Sequence, residues 1–437
     1  MHTLRATRTL PPAVQLLLVN QFGVNTGFYL LIPYLAFHLD EGLGMSAAAV
    51  GLVLGARNLS QQGLFLIGGS AADRLGPRRV IIAGCALRTV GFGAFALGDS
   101  LAVLLVASLL SGLAGALFNP AVRAYVAVSA GERRAEAFAL FQVFATTGAL
   151  VGPVLGSVLL LVDFRASALA AAGIFAVLTV AQALVLPAAP GTAPSAARPG
   201  VLSDWRQVLT NRAFLAFSLA FSGLFALETQ LYLLFPQGAR VATDVPGAAG
   251  AVFLLGTVLG LTLQLRLTTR LKAGGDRGRA LVAGLLLMAL AFLPPLLVTA
   301  APAGDPPAGV GQAALRLLPV LVGALLLYLG LMVAQPFVLE LIPAFGQQRL
   351  TGTHFGVFYA ISGLVAAGVN ALVGWTTDLG ERSGLPALPW LCCLLIGLLS
   401  AGGALLLRRA DVLPGPAPAP SASAAPAGSA PTRRGAS

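Results

Sequence analysis

With 437 residues, 57% of them hydrophobic and only 10% charged, the chain has too few polar side chains to cover a water-facing surface. Soluble proteins carry about a quarter charged residues, so the composition places this chain in a lipid bilayer and argues against a soluble enzyme or binding module. The net charge of +11 is spread over the segments between apolar runs and builds no basic face, so no nucleic-acid partner is expected.

Twelve apolar runs are long enough to span a bilayer, at about 14–36, 47–71, 80–97, 101–122, 138–161, 166–186, 213–235, 248–266, 280–299, 316–339, 354–375 and 388–407. The pattern predicts an all-α membrane protein of twelve transmembrane helices. An even number of spans puts both termini on one side. With the termini inside, twenty of the 27 basic residues fall in cytoplasmic segments and four (Arg165, Arg240, Arg316, Arg382) fall outside. The positive-inside rule therefore predicts cytoplasmic termini. The first run is too long for a signal-peptide core and is read as a retained span. Cys85, Cys392 and Cys393 lie inside apolar runs, with neither metal spacing nor a disulfide framework, and no metal is expected.

In chain order, the first run holds a polar stripe, with Gln21, Asn25 and Phe28 at i, i+4 and i+7 beside Asn20. His38 closes this run and His354 opens the eleventh, and each reads as an interfacial residue. Between runs two and three lies a charged hinge, Gly69-Ser-Ala-Ala-Asp73-Arg74-Leu-Gly76-Pro-Arg78-Arg79. Gly76 and Pro77 force a tight reversal there, and Gly69 leaves room one turn above Asp73 for a neighbouring helix. Arg57 and Arg88 fall near the middles of runs two and three, and both read as structural anchors. Their candidate partners are carbonyls, Asn58, Gln61, Gln62 or carboxylates of the other half. Arg123, at the cytoplasmic end of run four, is expected with Asp73 or Glu132 in a cytoplasmic gate.

The fifth run contains Gly148-Ala-Leu-Val-Gly152-Pro153-Val-Leu-Gly156-Ser157. Glycines at i, i+4 and i+8 make a smooth strip for close helix approach, and Pro153 permits a bend. Residues 187–212 form the longest loop between spans. It opens Pro/Ala-rich and ends in Ser203-Asp-Trp-Arg206, a predicted interfacial helix with Ser203 as N-cap. The loop divides the chain into a six-helix bundle over 1–186, a linker over 187–212 and a second bundle over 213–410. The Pro/Ala/Ser-rich tail, 411–437, is expected to be disordered and cytoplasmic.

In the seventh run, Phe221, Phe225 and Glu228 share a helix face. Glu228 is the one acidic residue well inside a span, which makes it a candidate for proton or substrate binding. Glu340 ends the tenth run and reads as a gating or loop contact. The halves echo each other: Phe118-Asn119-Pro120 matches Ala334-Gln335-Pro336, Arg134 matches Arg349, and Phe141-Gln-Val-Phe144 matches Phe355-Gly-Val-Phe358. The segment Arg270–Arg279 reads as a degraded copy of the charged hinge.

The hinge pattern Gly69, Asp73, Arg74, Gly76, Arg78, Arg79 resembles the loop 2–3 signature of the major facilitator superfamily. The fifth-run strip resembles the helix-5 signature of drug:proton antiporters, with Ser157 where a second glycine is usual. Arg57-Asn-Leu-Ser-Gln61-Gln62-Gly63, Arg88 and the Ser111–Pro120 run resemble bacterial twelve-helix multidrug-resistance permeases. The resemblance implies two pseudo-symmetric bundles that rock about a central cavity. By analogy the cavity is lined by Asn25, Phe28, Asn119, Phe225, Glu228, Tyr328 and Gln335. It further implies proton-coupled efflux of amphipathic molecules, no cofactor beyond the proton gradient, a monomer, and a bacterial inner-membrane location. The first helix lacks the acidic residue many such antiporters carry. Two alternatives remain: a proton symporter for a polar or anionic solute on the same fold, and a membrane protein of a non-transport class. No HExxH, Walker loop or Ser/His/Asp set points to an enzyme.

Overall fold

The computed structural model describes residues 7–187, 200–243, 248–273, 276–299 and 309–413. The described residues are helical or irregular, with no strand among them. The helices are α1 (Pro12–Phe37), α2 (Ala47–Gly63), α3 (Phe65–Leu75), α4 (Pro77–Ala94), α5 (Leu101–Ser129), α6 (Arg134–Leu160), α7 (Phe164–Val185) and α8 (Val201–Leu209). They continue as α9 (Arg212–Glu228), α10 (Leu234–Thr243), α11 (Ala249–Ala273), α12 (Arg277–Leu290), α13 (Leu293–Thr299), α14 (Val310–Leu341), α15 (Thr351–Ser383) and α16 (Leu388–Arg409).

Local chemistry explains most of the boundaries. Ser46, Ser100, Asn211 and Asp276 cap α2, α5, α9 and α12 by accepting the backbone N–H three residues on. The reversal between α3 and α4 is made by Gly76 at φ +86°, a conformation that favours glycine, followed by Pro77 at the first helical position.

Among the described residues, ten helical stretches are long and apolar enough to cross a membrane. The two remaining expected spans are present as helix but differ from a simple crossing. The second is broken at Leu64 into α2 and α3. The third, α4, has only 18 residues and carries Arg78, Arg79 and Arg88. The seventh unwinds into a 3-10 turn at Thr229–Leu231 and resumes as α10. The linker helix α8 starts at Val201 with Gly200 before it, so Ser203 lies inside the helix and is not its cap. The proline-rich start of the linker and nearly all of the expected disordered tail lie outside the described residues.

The packing repeats between halves. In the first, α1 packs on α6 and α7, α4 on α5 and α7, and α2 on α5. The second repeats this with α9 on α15 and α16, α12 on α14 and α16, and α11 on α14. The halves meet through α3 against α15 and α6 against α11, a symmetric pair of contacts. Large apolar side chains such as Leu59, Leu161, Leu169, Leu184 and Leu399 are exposed on the outside, as lipid contact requires.

Candidate transport site and gate

One end of the bundle carries α8, the basic hinges and most of the charge pairs. There Asp73, at the end of α3, caps the N-terminus of α15 across the interface between halves. Its Oδ1 accepts the Gly352 N–H at 2.7 Å, and its Oδ2 accepts both the N–H and the Oγ1–H of Thr353 at 2.6 Å. A carboxylate satisfies orphan N–H groups there and complements the positive helix end. The close approach depends on glycine, since a methyl group on Gly69 would collide with the Gly352 carbonyl, and one on Gly352 or Gly356 with α3.

The hinge residues divide their work. Arg74 pairs with Asp204 of α8 at 2.6 Å, and Arg349 from the start of the α15 region reaches the other oxygen of the same carboxylate at 2.8 Å. Trp205 donates from Nε1 to Ser70 Oγ. The linker helix is thereby tied to both halves. Arg78 faces inward to the first half, donating to the carbonyls of Leu186 and Ala183, and Arg79 is exposed. In the degraded copy, Arg277 forms a two-bond pair with Glu340 within the second half, and Asp276 pairs with Arg408. Glu340, one residue before the end of α14, therefore acts as a contact to the α12 hinge.

The strip on α6 receives α1. Side chains at Gly148, Gly152 and Gly156 would strike the carbonyls of Phe22, Thr26 and Leu30, and Tyr34 donates to the Pro153 carbonyl at 2.7 Å. Asn25, expected in the cavity, donates to the Ala145 carbonyl at 2.8 Å and accepts from Gln21, so it pins α1 to α6. Asn20 likewise accepts from buried Gln182 at 2.6 Å.

Between the halves, Glu228 at the end of α9 is enclosed by protein yet keeps accessible surface, so it faces an internal space. The charged group that acts on it is Arg123. Arg123 lies over the rings of Phe141 and Tyr359, 5.6 and 4.8 Å from their centroids, and donates to the Asn119 carbonyl. Arg123 thus bears electrostatically on Glu228 across the two halves. Tyr29 and Tyr232 make a polar contact across the two halves beside Glu228. Tyr232 is 58% exposed and packs on Phe253 of α11. Tyr328 lies against Gly256 and within reach of Glu228. Phe225 packs on Phe358 and Tyr359, and Phe28 carries the Arg57 guanidinium on its face at 4.5 Å. Asn119 and Gln335 are half-buried. Phe221 is fully buried against Phe217 and does not share Glu228's accessible face.

Some contributors escape sequence reasoning. Asn370 of α15 accepts from Thr229 Oγ1 and Gln230 Nε2, each at 2.8 Å, and holds the unwound turn that follows Glu228. The adjacent Thr229-Gln230 pair in an apolar run was the available signal. Tyr232 and the bridging role of Asp204 carry no local signal, because both depend on contacts across the interface.

Two bundles whose packing repeats, tied together at one charged end, have the layout of secondary transporters. The Major Facilitator Superfamily sequence model matches residues 17–305, and the chain belongs to that superfamily of transporters. An uncharacterized MFS-type transporter of Mycobacterium tuberculosis (strain H37Rv) is 40% identical over 91% of this chain and 93% of its own length. A protein named multidrug resistance protein MdtH from Photorhabdus laumondii is 31% identical over 88% of this chain and 91% of its own length. Among solved structures, the human organic anion transporter MFSD10 superposes with a TM-score of 0.68 at 19% identity, covering 91% of this chain and all of that one. The Escherichia coli fucose:proton symporter FucP superposes at 0.69 and 17% identity, covering 90% of this chain and 98% of its own. These two show the fold alone.

Proposed function

We propose that the protein is a proton-coupled exporter of small amphipathic molecules that works by alternating access, with Glu228 as the proton carrier. The observation that carries the reading is one enclosed carboxyl group, Glu228, that keeps accessible surface between the halves. An ionisable group inside a membrane cavity is costly and marks a proton or substrate pathway. One carboxyl group that binds proton and substrate in alternation suffices for exchange, because the two bindings exclude each other. Proteins named for multidrug resistance at about 30% identity support efflux of drug-like compounds. In this reading the basic end faces the cytoplasm of a bacterial inner membrane, and residues 1–186 and 213–410 are the rocking units. The Asp73 cap and the Asp204 bridge close that end while the cavity opens outward. The test is flux in proteoliposomes across a panel of amphipathic compounds, with and without an imposed pH gradient. Gradient-driven movement of at least one compound against its own gradient supports the reading. Identical flux with and without the gradient, for every compound moved, overturns it.

A further inference from the structure

Helix α11 is one of the stretches long and apolar enough to cross a membrane, and it packs on α14 and, across the halves, on α6. Its two sides differ in kind. Gln264 and Thr268 are buried, and Gln264 Nε2 donates to the Met332 carbonyl of α14. On the opposite side Val258, Thr262, Arg266 and Arg270, each four residues from the next, form an exposed stripe. Arg266 precedes the end of α11 at Ala273 by almost two turns, about 10 Å along the axis, so it stands within the span. The exposed side of a spanning helix meets lipid, where a guanidinium without a counter-charge is costly.

The protein places no counter-charge there. Among the described residues neither Arg266 nor Arg270 belongs to an ion pair. Two nearby carboxylates are already engaged, Asp276 by Arg408 and Glu340 by Arg277. The segments 188–199 and 414–437, which continue from this end, contain no Asp or Glu. Side chains four apart on a helix stand about 5–6 Å from each other at Cβ, so both guanidinium groups can converge on one anionic group. Their planar forks suit the oxygens of a phosphate. Long arginine side chains also reach along the helix toward the headgroup layer while their stems stay in apolar surroundings. A zwitterionic lipid brings its own ammonium beside the phosphate and leaves the pair uncompensated, whereas an anionic lipid does not.

We propose that Arg266 and Arg270 of α11 form a docking site for the headgroup of an anionic phospholipid, whose acyl chain lies along Thr262 and Val258. The lipid supplies the negative charge that this face lacks. The inference goes beyond the transport reading and stands whether or not Glu228 carries the proton.

The test is native mass spectrometry of the purified full-length protein in detergent, with phosphatidylglycerol and phosphatidylcholine of matched acyl chains added in turn. The wild type is expected to bind phosphatidylglycerol at least fivefold tighter than phosphatidylcholine. The double variant Arg266→Gln, Arg270→Gln is expected to lose that preference, and Arg266→Lys, Arg270→Lys to keep part of it. Both side chains are exposed, so the single variants Arg266→Gln and Arg270→Gln give the same comparison, each with a smaller loss, if the double variant is poorly recovered. The control is Arg279→Gln, Arg409→Gln, which removes two exposed charges from α12 and α16 and should leave the preference intact. Equal binding of the two lipids by the wild type overturns the proposal. So does a preference that survives the loss of both α11 arginines, or one that the control variant loses to the same extent, which would mark an effect of net charge alone. Displacement of phosphatidylglycerol by glycerol 3-phosphate at equal concentration would overturn the assignment to a lipid.

Discussion

At the scale of single residues, Asp73 is the clearest case of a side chain whose function follows from its contacts. It accepts three hydrogen bonds from the first turn of α15, two of them from backbone N–H groups. Each charge-assisted bond of this kind contributes about 1.5–3 kcal/mol. In Asp73→Asn the amide can still accept at one position, so a net loss of about 2 kcal/mol is expected. That loss shifts the balance of open and closed states roughly thirtyfold. The protein should fold at normal yield and transport poorly, as measured by flux per unit of folded protein. Wild-type flux would remove Asp73 from the gate. Helix phase limits what sequence could say about such residues. The stripe Gln21, Asn25, Phe28 was legible, yet only the structure shows Asn25 turned onto the Ala145 carbonyl while Phe28 turns onto Arg57. Likewise the charged group that acts on Glu228 is Arg123, on a helix of the other half, and no local pattern ties that position to α9.

At the scale of elements, α6 and α8 show two ways a helix can be read. The glycine strip on α6 was legible because it is a local, periodic feature, and α1 occupies it. Gly152→Leu would drive a side chain into the Thr26 carbonyl and Tyr29. Overpacking of this kind costs about 1–3 kcal/mol, and folded protein recovered from membranes should fall several-fold. Gly51→Ala, where nothing lies within 4 Å of a new methyl group, should be neutral in the same assay. Equal recovery of both would show that the strip is not packed as described. The linker helix α8 was legible as a helix, but its use was not, because Asp204 gains its meaning only when Arg74 and Arg349 converge from the two halves. Asp204→Asn should loosen that end. Hydrogen exchange at the Gly352 and Thr353 amides should speed up by at least about fivefold while the centre of α5 is unchanged. Unchanged exchange at Gly352 would mean that α8 is a passive strap.

At the scale of the whole molecule, the twelve apolar runs and the internal repeat were legible because lipid imposes length and composition directly. The breaks at Leu64 and Thr229–Leu231 were not, although polar residues stand at both (Gln61-Gln62-Gly63 and Glu228-Thr229-Gln230), because the second is held by tertiary contacts such as those of Asn370. The proposed orientation, with cytoplasmic termini, rests on the charge bias. A cysteine at Leu202, exposed on α8, in a background lacking Cys85, Cys392 and Cys393, should resist an impermeant maleimide added outside intact cells. It should react once the membrane is opened. Ready labelling from outside would invert the topology.

The central claim is that Glu228 couples substrate movement to protons, and the most direct measurement compares wild type with Glu228→Gln in proteoliposomes under an imposed pH gradient. The amide mimics a permanently protonated carboxyl group. The account predicts a folded protein that loses gradient-driven accumulation, slowed at least tenfold, while it retains exchange of substrate for substrate across the membrane. A Glu228→Gln protein that still responds to the pH gradient as the wild type does would contradict it.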